Sequence, residues 1–369
     1  MQQVVTWLLA LAILPMSATG CGADPRLDVS RQASAEAPPP ASESHAQPEM
    51  SAPASAAPPS AAPPIAAADV STADALGRYI AESSEAWASR ELGKHTQLYA
   101  SDAEIATYGG LPNEQQATPT ELEARLAREI AGTDLELRYT RGIAGEGVAV
   151  TEWVLSGTFE FLGEGGSKKK KMMGCQGASV LTFAADGRVT REIRFCNSGV
   201  QDLPPAAPQT NARAELLLAT DSDSDAVARG WLRAFDHGDT KALLALASDE
   251  FIFSADDVSG TKALKSAVSS RAKTFSDATS TISMCIPTAR AIACLFDWRA
   301  TWSGPLSGLK PNGKIGSVRT LEVFTLTDGK VSRSSQYIDT NQLLESFGIN
   351  DDPLFWLKMK DDRPRAKPR

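Results

Sequence analysis

Two pairs of cysteines and a short set of acids are the residues whose types and spacing could do chemistry here. Cys285 and Cys294 flank a turn at Ala289-Arg290, and a two-residue turn there sets them directly opposite across a hairpin. In the first half of the chain a four-residue loop, Ala184 to Gly187, pairs Phe183 with Arg188; counting outward then pairs Cys175 with Cys196. Two local pairs in an exported chain predict two disulfides, with four buried thiols as the alternative. Neither pair has metal-ligand spacing. Glu152 and Asp297 alternate away from the apolar side of their strands, toward a polar cavity, solvent or an arginine partner. Only His45, His95 and His237 are present, so a histidine-rich metal site is close to excluded and a histidine-based triad has little to draw on. No metal and no cofactor is expected.

The elements that must position these residues are written twice. Ala185-Asp186-Gly187-Arg188-Val189-Thr190-Arg191 recurs as Thr327-Asp328-Gly329-Lys330-Val331-Ser332-Arg333. Upstream, Glu152-Trp153 is echoed by Asp297-Trp298 and Ala100-Ser101-Asp102 by Ala247-Ser248-Asp249, in the same order. Such self-similarity asks one architecture to explain both halves. Each copy predicts a first helix with Leu76, Ile80 and Trp87, or Val227, Trp231 and Phe235, on one face. A short helix follows at Leu92–Tyr99 or Thr240–Leu246, then a strand at Glu104–Thr107 or Glu250–Ser254. A third helix carries Leu122, Leu126 and Ile130, or Leu264, Val268 and Phe275; Thr118, Pro119 and Glu121 open it in the first copy with a capping box. Beyond it, Ile292 to Trp302 alternates apolar and mixed residues as a half-buried strand does, and Asp186-Gly187 and Asp328-Gly329 close hairpins. Helices first and antiparallel strands after give an α+β class, with helices packed on one face of a curved sheet.

The totals bound the rest. With 37 Lys and Arg against 45 Asp and Glu the net charge is −8, which argues against a nucleic-acid partner. Val4 to Met16 is an apolar run too short to span a bilayer, and Ala18-Thr19-Gly20 precede Cys21, the pattern of a bacterial lipoprotein signal over 1–20 with Cys21 lipidated. Two features depart from that pattern: Met1-Gln2-Gln3 carries no Lys or Arg, and Ala18 stands where Leu is usual, so plain cleavage is the alternative. Residues 21–71 are an Ala/Pro/Ser-rich tether that cannot bury enough apolar surface to offset ordering. Domains are expected at 72–203 and 222–349, joined by a linker at 204–221 and followed by a disordered tail at 350–369. The run Lys168–Lys171 falls in a loop, as a solvated tip or a contact to anionic lipid.

This order of elements resembles the NTF2-like superfamily, which includes ketosteroid isomerases and SnoaL-like polyketide cyclases. The segment Trp231-Leu232-Arg233-Ala234-Phe235-Asp236-His237-Gly238-Asp239 looks like that family's first helix and turn. Leu246-Ala247-Ser248-Asp249-Glu250-Phe251 resembles its entry into the first strand, and Tyr337-Ile338-Asp339-Thr340-Asn341-Gln342-Leu343-Leu344 its ending. The resemblance implies two tandem cone domains, each with a cavity between helices and sheet, and sheets that pair face to face as a pseudo-dimer within one chain. It places the isomerase base at Thr107 and Ser254, neither of which is a base near neutral pH, and the helix-one Tyr at Trp231. Tyr79 is nearby in the first copy, at a spacing several residues too long. Asp339 matches the family's terminal Asp and lies two residues from Tyr337; Asn197 and Phe195 are the first-copy counterparts. Asp339 either does acid–base work or caps the helix near Gln342. The expectation is an envelope protein, anchored through its lipid, that binds a small apolar ligand (Trp231, Trp298, Tyr337, Trp153 and Tyr79) or a protein partner without catalysis. The alternative is a cyclase or isomerase-type enzyme in the second copy, using Asp339 and Tyr337 with Asp297 as base.

Overall fold

A computed structural model describes residues 70–108, 116–122, 133–162, 168–196, 214–220, 224–253, 258–306 and 309–349. The expected signal, Cys21, nearly all of the expected tether and the expected tail lie outside the described residues. Among the described residues, no helix is long and apolar enough to cross a membrane.

The first half opens with α1 (Thr72–Ser89). Ser71 caps it, its Oγ accepting from the Asp74 amide at 3.1 Å, and Leu76, Tyr79, Ser83, Ala86 and Trp87 form the buried stripe. Arg90, at φ 60°, ends it in the left-handed conformation. Then come α2 (Leu92–Thr96), β1 (Tyr99–Tyr108) and β2 (Gln116–Ala117). The second helix is thus shorter than expected, and Tyr99 already belongs to a strand that runs beyond Glu104–Thr107. The capping box forms: the Glu121 carboxylate accepts from the Thr118 amide at 2.7 Å, and residues 119–122 are helical. The sheet is completed by β3 (Thr133–Ala144), β4 (Val148–Leu162), β5 (Lys168–Phe183) and β6 (Val189–Cys196). Lys168–Lys171 is paired backbone in β5, opposite Phe159–Leu162, rather than a loop. Part of the expected linker, β7 (Glu215–Leu218), adds as a seventh strand parallel to β3.

The second half runs α3 (Ser224–Asp236), α4 (Thr240–Leu246), β8 (Ala247–Phe253), β9 (Val258–Ser259), α5 (Thr261–Thr274), β10 (Phe275–Pro287), β11 (Ala291–Trp302), β12 (Ile315–Thr327), β13 (Lys330–Ile338) and α6 (Thr340–Ser346). Phe275, expected on the third helix, starts β10 instead. The sheet orders are β2-β1-β6-β5-β4-β3-β7 and β10-β11-β12-β13-β8-β9. Leaving out β7, six strands of each sheet follow one path, with a parallel contact where the last strand meets the first (β6 with β1, β13 with β8).

Three buried clusters hold these elements. One lies between sheet and helices in the first half, around Leu76, Tyr79, Trp87 and Trp153; another in the second half, around Trp231, Phe251, Trp298, Phe324 and Phe347. Each fully buried large aliphatic or Phe side chain contributes roughly 1.5–3 kcal/mol. The third cluster joins the outer faces of the two sheets, with Val150, Val180, Ile193 and Phe195 against Ala293, Leu295, Leu321, Val323 and Tyr337. Polar contacts edge it: Arg141 Nη1 to Thr325 Oγ1 at 3.1 Å and Arg290 Nη2 to Glu215 Oε1 at 2.6 Å.

Strand register corrects two readings of the sequence. Asp328 (φ 51°) and Gly329 (φ 72°) make a two-residue turn that pairs Thr327 with Lys330. The first-half hairpin has a longer turn, with Phe183 opposite Val189, and a bulge after Thr182. Both irregularities shift the count, so Gly177, not Cys175, stands opposite Cys196; the Cys175 side chain lies outside the described residues. Cys285 and Cys294 do face each other and are disulfide-bonded, with an S–S distance of 1.99 Å. The Glu152-Trp153 and Asp297-Trp298 echo is two residues out of register. Val148 pairs with Thr182, and Ala291 with Thr325, at matching points of the two sheets, so Trp153 aligns with Phe296 and Glu152 with Leu295.

Candidate functional site

Side-chain alternation on β11, β12 and the later part of β13 sends even-numbered residues into the second half's cone and odd-numbered residues to the opposite sheet face; Val331, before the irregularity in β13, is the exception and joins the cone. Trp298, Val318, Thr320, Gln336 and Ile338 line a cavity of about 60 Å³ inside the cone, closed by Phe275, Leu306, Leu343, Leu344, Phe347 and Ile349. Trp231 is buried in the same cluster, its ring tilted 39° against that of Phe251 at 5.1 Å.

The cavity has one charged wall. Arg271, from α5, lies between two rings, its guanidinium carbon 4.6 Å from the Trp298 ring and 4.4 Å from that of Phe235. It pairs with Asp236 of α3 at 3.3 Å; both side chains are largely buried. Burial pushes Arg271 down to about 10, against the pull of Asp236 and Glu322. Burial also raises the Asp236 carboxyl, with Arg271 opposing. Glu322, on β12, is almost fully buried and accepts from Ser334 Oγ at 2.6 Å. Desolvation raises its pKa to about 7, with the bonds from Ser334 and Gln336 and the charge of Arg271 opposing. One guanidinium on the cavity wall thus pairs with Asp236 and acts on Glu322 through its charge.

In the first half the same space is filled. Tyr79 and Tyr99 hydroxyls meet at 3.1 Å, Tyr99 donates to Glu192 at 2.6 Å, Ser179 donates to the other Glu192 oxygen at 2.6 Å, and Trp153 Nε1 donates to Ser179 at 3.2 Å. Burial, with the Glu192 charge next, raises both tyrosines. His95 is pushed down to about 3 by burial and by Arg194, so it is neutral. The void left among Tyr79, Trp87, His95 and Trp153 is about 10 Å³. Gly177 is required here, because a Cβ would sit 2.1 Å from the Trp153 ring. Ser179 faces Arg194 in the ladder as Glu322 faces Gln336, and Glu192 faces Leu181 as Ser334 faces Phe324. The serine–glutamate pair therefore occurs in both halves with the two residues exchanged between strands.

The structure scatters the acids expected to converge. Tyr337 points to the sheet–sheet cluster and donates to Glu152 Oε1 at 2.7 Å, not into the cone. Asp297 is on that same outer face, held by Arg319 through two contacts of 2.9 Å. Asp339 has left the strand and caps α6, accepting from the Gln342 amide at 3.1 Å. Of the expected aromatics, Trp298 lines the cavity, Trp231 is buried in the same cluster without lining it, and Tyr79 and Trp153 plug the first half. Thr107 is buried in β1, and Ser254 lies outside the described residues. Sequence reading missed Arg271, Asp236 and Glu322. A signal existed: Glu322 is an acid on the otherwise largely apolar Val318, Thr320, Phe324, Leu326 face of β12.

Comparison with known proteins places one of the two halves. Residues 225–346 match the family of SnoaL-like polyketide cyclases. The SnoaL-like region therefore contains Arg271, Glu322 and the cavity lining apart from Phe347 and Ile349. Similar solved structures include TsrD from Streptomyces laurentii (20% identity, 35% of this chain and 98% of that one, TM-score 0.33). A SnoaL-like polyketide cyclase from Agrobacterium tumefaciens (12%, 34% and 99%, TM-score 0.31) and an NTF2-like protein from Burkholderia pseudomallei (14%, 34% and 98%, TM-score 0.30) are others. No curated protein matches the chain.

Proposed function

We propose that this chain is an exported, lipid-anchored envelope protein in which two NTF2-like cones pair as a pseudo-dimer and the SnoaL-like cone binds a small apolar ligand without catalysis. One observation carries the reading: of two cones built on one strand path, the first is plugged by its own hydrogen-bonded side chains, and the second keeps an apolar cavity with Arg271, Thr320 and Gln336 at its polar end. Apolar walls with a few convergent polar groups are the usual make-up of a ligand site. The cavity is small, about 60 Å³, so a drug-sized ligand requires movement of the side chains that close it, Leu343 and Leu344 of α6 and Phe347 just beyond it. The carboxylates on the cone side are already committed, Asp236 to Arg271, Glu322 to Ser334 and Asp339 to the α6 cap, which favours binding over chemistry. The third buried cluster supports the pairing of the halves, and the Cys285–Cys294 disulfide supports an oxidising compartment. Cys21 is the proposed lipid site.

Native mass spectrometry of the full chain purified from its own envelope tests this. A small-molecule adduct is expected on the wild-type protein and is expected to disappear in Val318→Phe, whose added ring fills the cavity against Trp298. An adduct of equal occupancy in both proteins would move the ligand elsewhere.

A second reading, proton-transfer catalysis in the same cone, is favoured by Glu322, whose pKa of about 7 suits a general acid or base at neutral pH. It separates from the first by turnover: Glu322→Gln abolishes catalysis, and leaves simple binding in place.

A further inference from the structure

A second cavity lies outside the cone. Between α3 and the start of β10 runs a groove of about 340 Å³, within the size range of small-molecule sites, and it shares no lining residue with the cone cavity. Its floor is Leu232, Ala278 and Ile282. Its rim is cationic through Arg229 and Arg233, and His237 follows them at i+8 along α3, so all three share one face. Arg229 is held by Asp225 at 2.7 Å, whereas the exposed Arg233 makes no ion pair among the described residues. The one acid in the lining, Asp236, is turned inward to Arg271.

The first half offers an internal comparison. Both helices end with the same pair of amide bonds, Arg90 to Trp87 and Glu91 to Ala86 in α1, Gly238 to Phe235 and Asp239 to Ala234 in α3. Counting back from these ends sets Ala81, Glu85 and Ser89 at the positions of Arg229, Arg233 and His237. The cationic stripe thus belongs to the second half alone, on a chain of net charge −8.

We propose that this groove binds an amphiphilic anion, a phosphate or carboxylate head on Arg233 and His237 with an apolar tail along Leu232, Ala278 and Ile282. Calorimetric titration of the full chain with octyl phosphate, with inorganic phosphate and with phosphatidylglycerol vesicles tests it. Octyl phosphate is expected to bind at least about tenfold tighter than inorganic phosphate, and Arg233→Ala to weaken it about tenfold, the effect of losing one charge-assisted contact. Val318→Phe, which alters only the cone, is expected to leave this binding unchanged. Equal affinity for octyl phosphate in wild type and Arg233→Ala would overturn the proposal, as would its loss in Val318→Phe. Binding to vesicles without binding to soluble octyl phosphate would overturn it in favour of a membrane-contact surface.

Discussion

Replacing Arg271 with methionine will lower the unfolding free energy by about 3–5 kcal/mol, the usual cost of removing one partner of a buried ion pair. The side chain fills space between Phe235 and Trp298, which methionine largely keeps, so the loss falls on Asp236 and Glu322, left without their cation. The pH dependence identifies the cause. Folded Glu322 titrates near 7 against an ordinary 4.5, so between those values the native state binds more protons than the unfolded chain. Its contribution to stability is greatest below about 4.5 and falls as pH rises to 7. Without Arg271 the Glu322 carboxyl moves higher still, and the deficit of the variant will be larger at pH 8 than at pH 5.5 in urea unfolding. His95, neutral when folded and titrating near 3, has the opposite slope below its ordinary 6.5 but acts equally in both proteins. A deficit independent of pH would assign the loss to packing.

The second large effect lies between the sheets. Glu152 is buried there, 2.7 Å from the Tyr337 hydroxyl and 3.2 Å from Arg141 Nη1, and desolvation raises its pKa against the pull of Arg141. Glu152→Ala leaves the buried Tyr337 hydroxyl without its acceptor and takes one of two carboxylates from Arg141, which keeps Glu215 at 3.5 Å and Thr325, and will cost about 1–3 kcal/mol. The matching positions of the other half supply an apolar version of the same contact: Leu295 for Glu152, Phe195 for Tyr337 and Met284 for Arg141. The triple variant Glu152→Leu, Tyr337→Phe, Arg141→Met is therefore expected to fall within about 1 kcal/mol of wild type, since well-packed apolar groups often replace a buried ion pair without loss. Urea unfolding of the single and triple variants decides this. A triple variant as unstable as the single one would mean that the two halves do not present equivalent surfaces here.

How much of this could be read from the residues depended on whether the information was local. Turn dipeptides, the Thr118–Glu121 box and the Trp231 stripe are neighbours in sequence; the hairpins and α3 are present, and the box opens a helical turn at 119–122, with Leu126 and Ile130 outside the described residues. The order of helices and strands followed from them, and so did the α+β class. Register did not. A bulge after Thr182 and a longer turn at Ala184 moved Cys196 from Cys175 to Gly177, because each inserted residue shifts all later pairings. The Glu152-Trp153 and Asp297-Trp298 echo looked like a shared role and is a coincidence of register; one carboxylate is buried against Tyr337, the other paired with Arg319. The site was hardest to find. Asp236, Arg271 and Glu322 come from three separate elements, and only the fold brings them together. Asp339 and Tyr337 drew notice by their two-residue spacing, but the strand ends between them.

In the second half a cavity of about 60 Å³ remains beside Trp298, whereas in the first half the matching space is filled by its own side chains. Diffraction from crystals of the full chain under xenon pressure tests this most directly, since dry apolar cavities take up xenon. A xenon site bounded by Trp298, Val318 and Phe347 is expected, and none among Tyr79, Trp87 and His95. Ordered water filling the space beside Val318, or xenon beside His95, would contradict it.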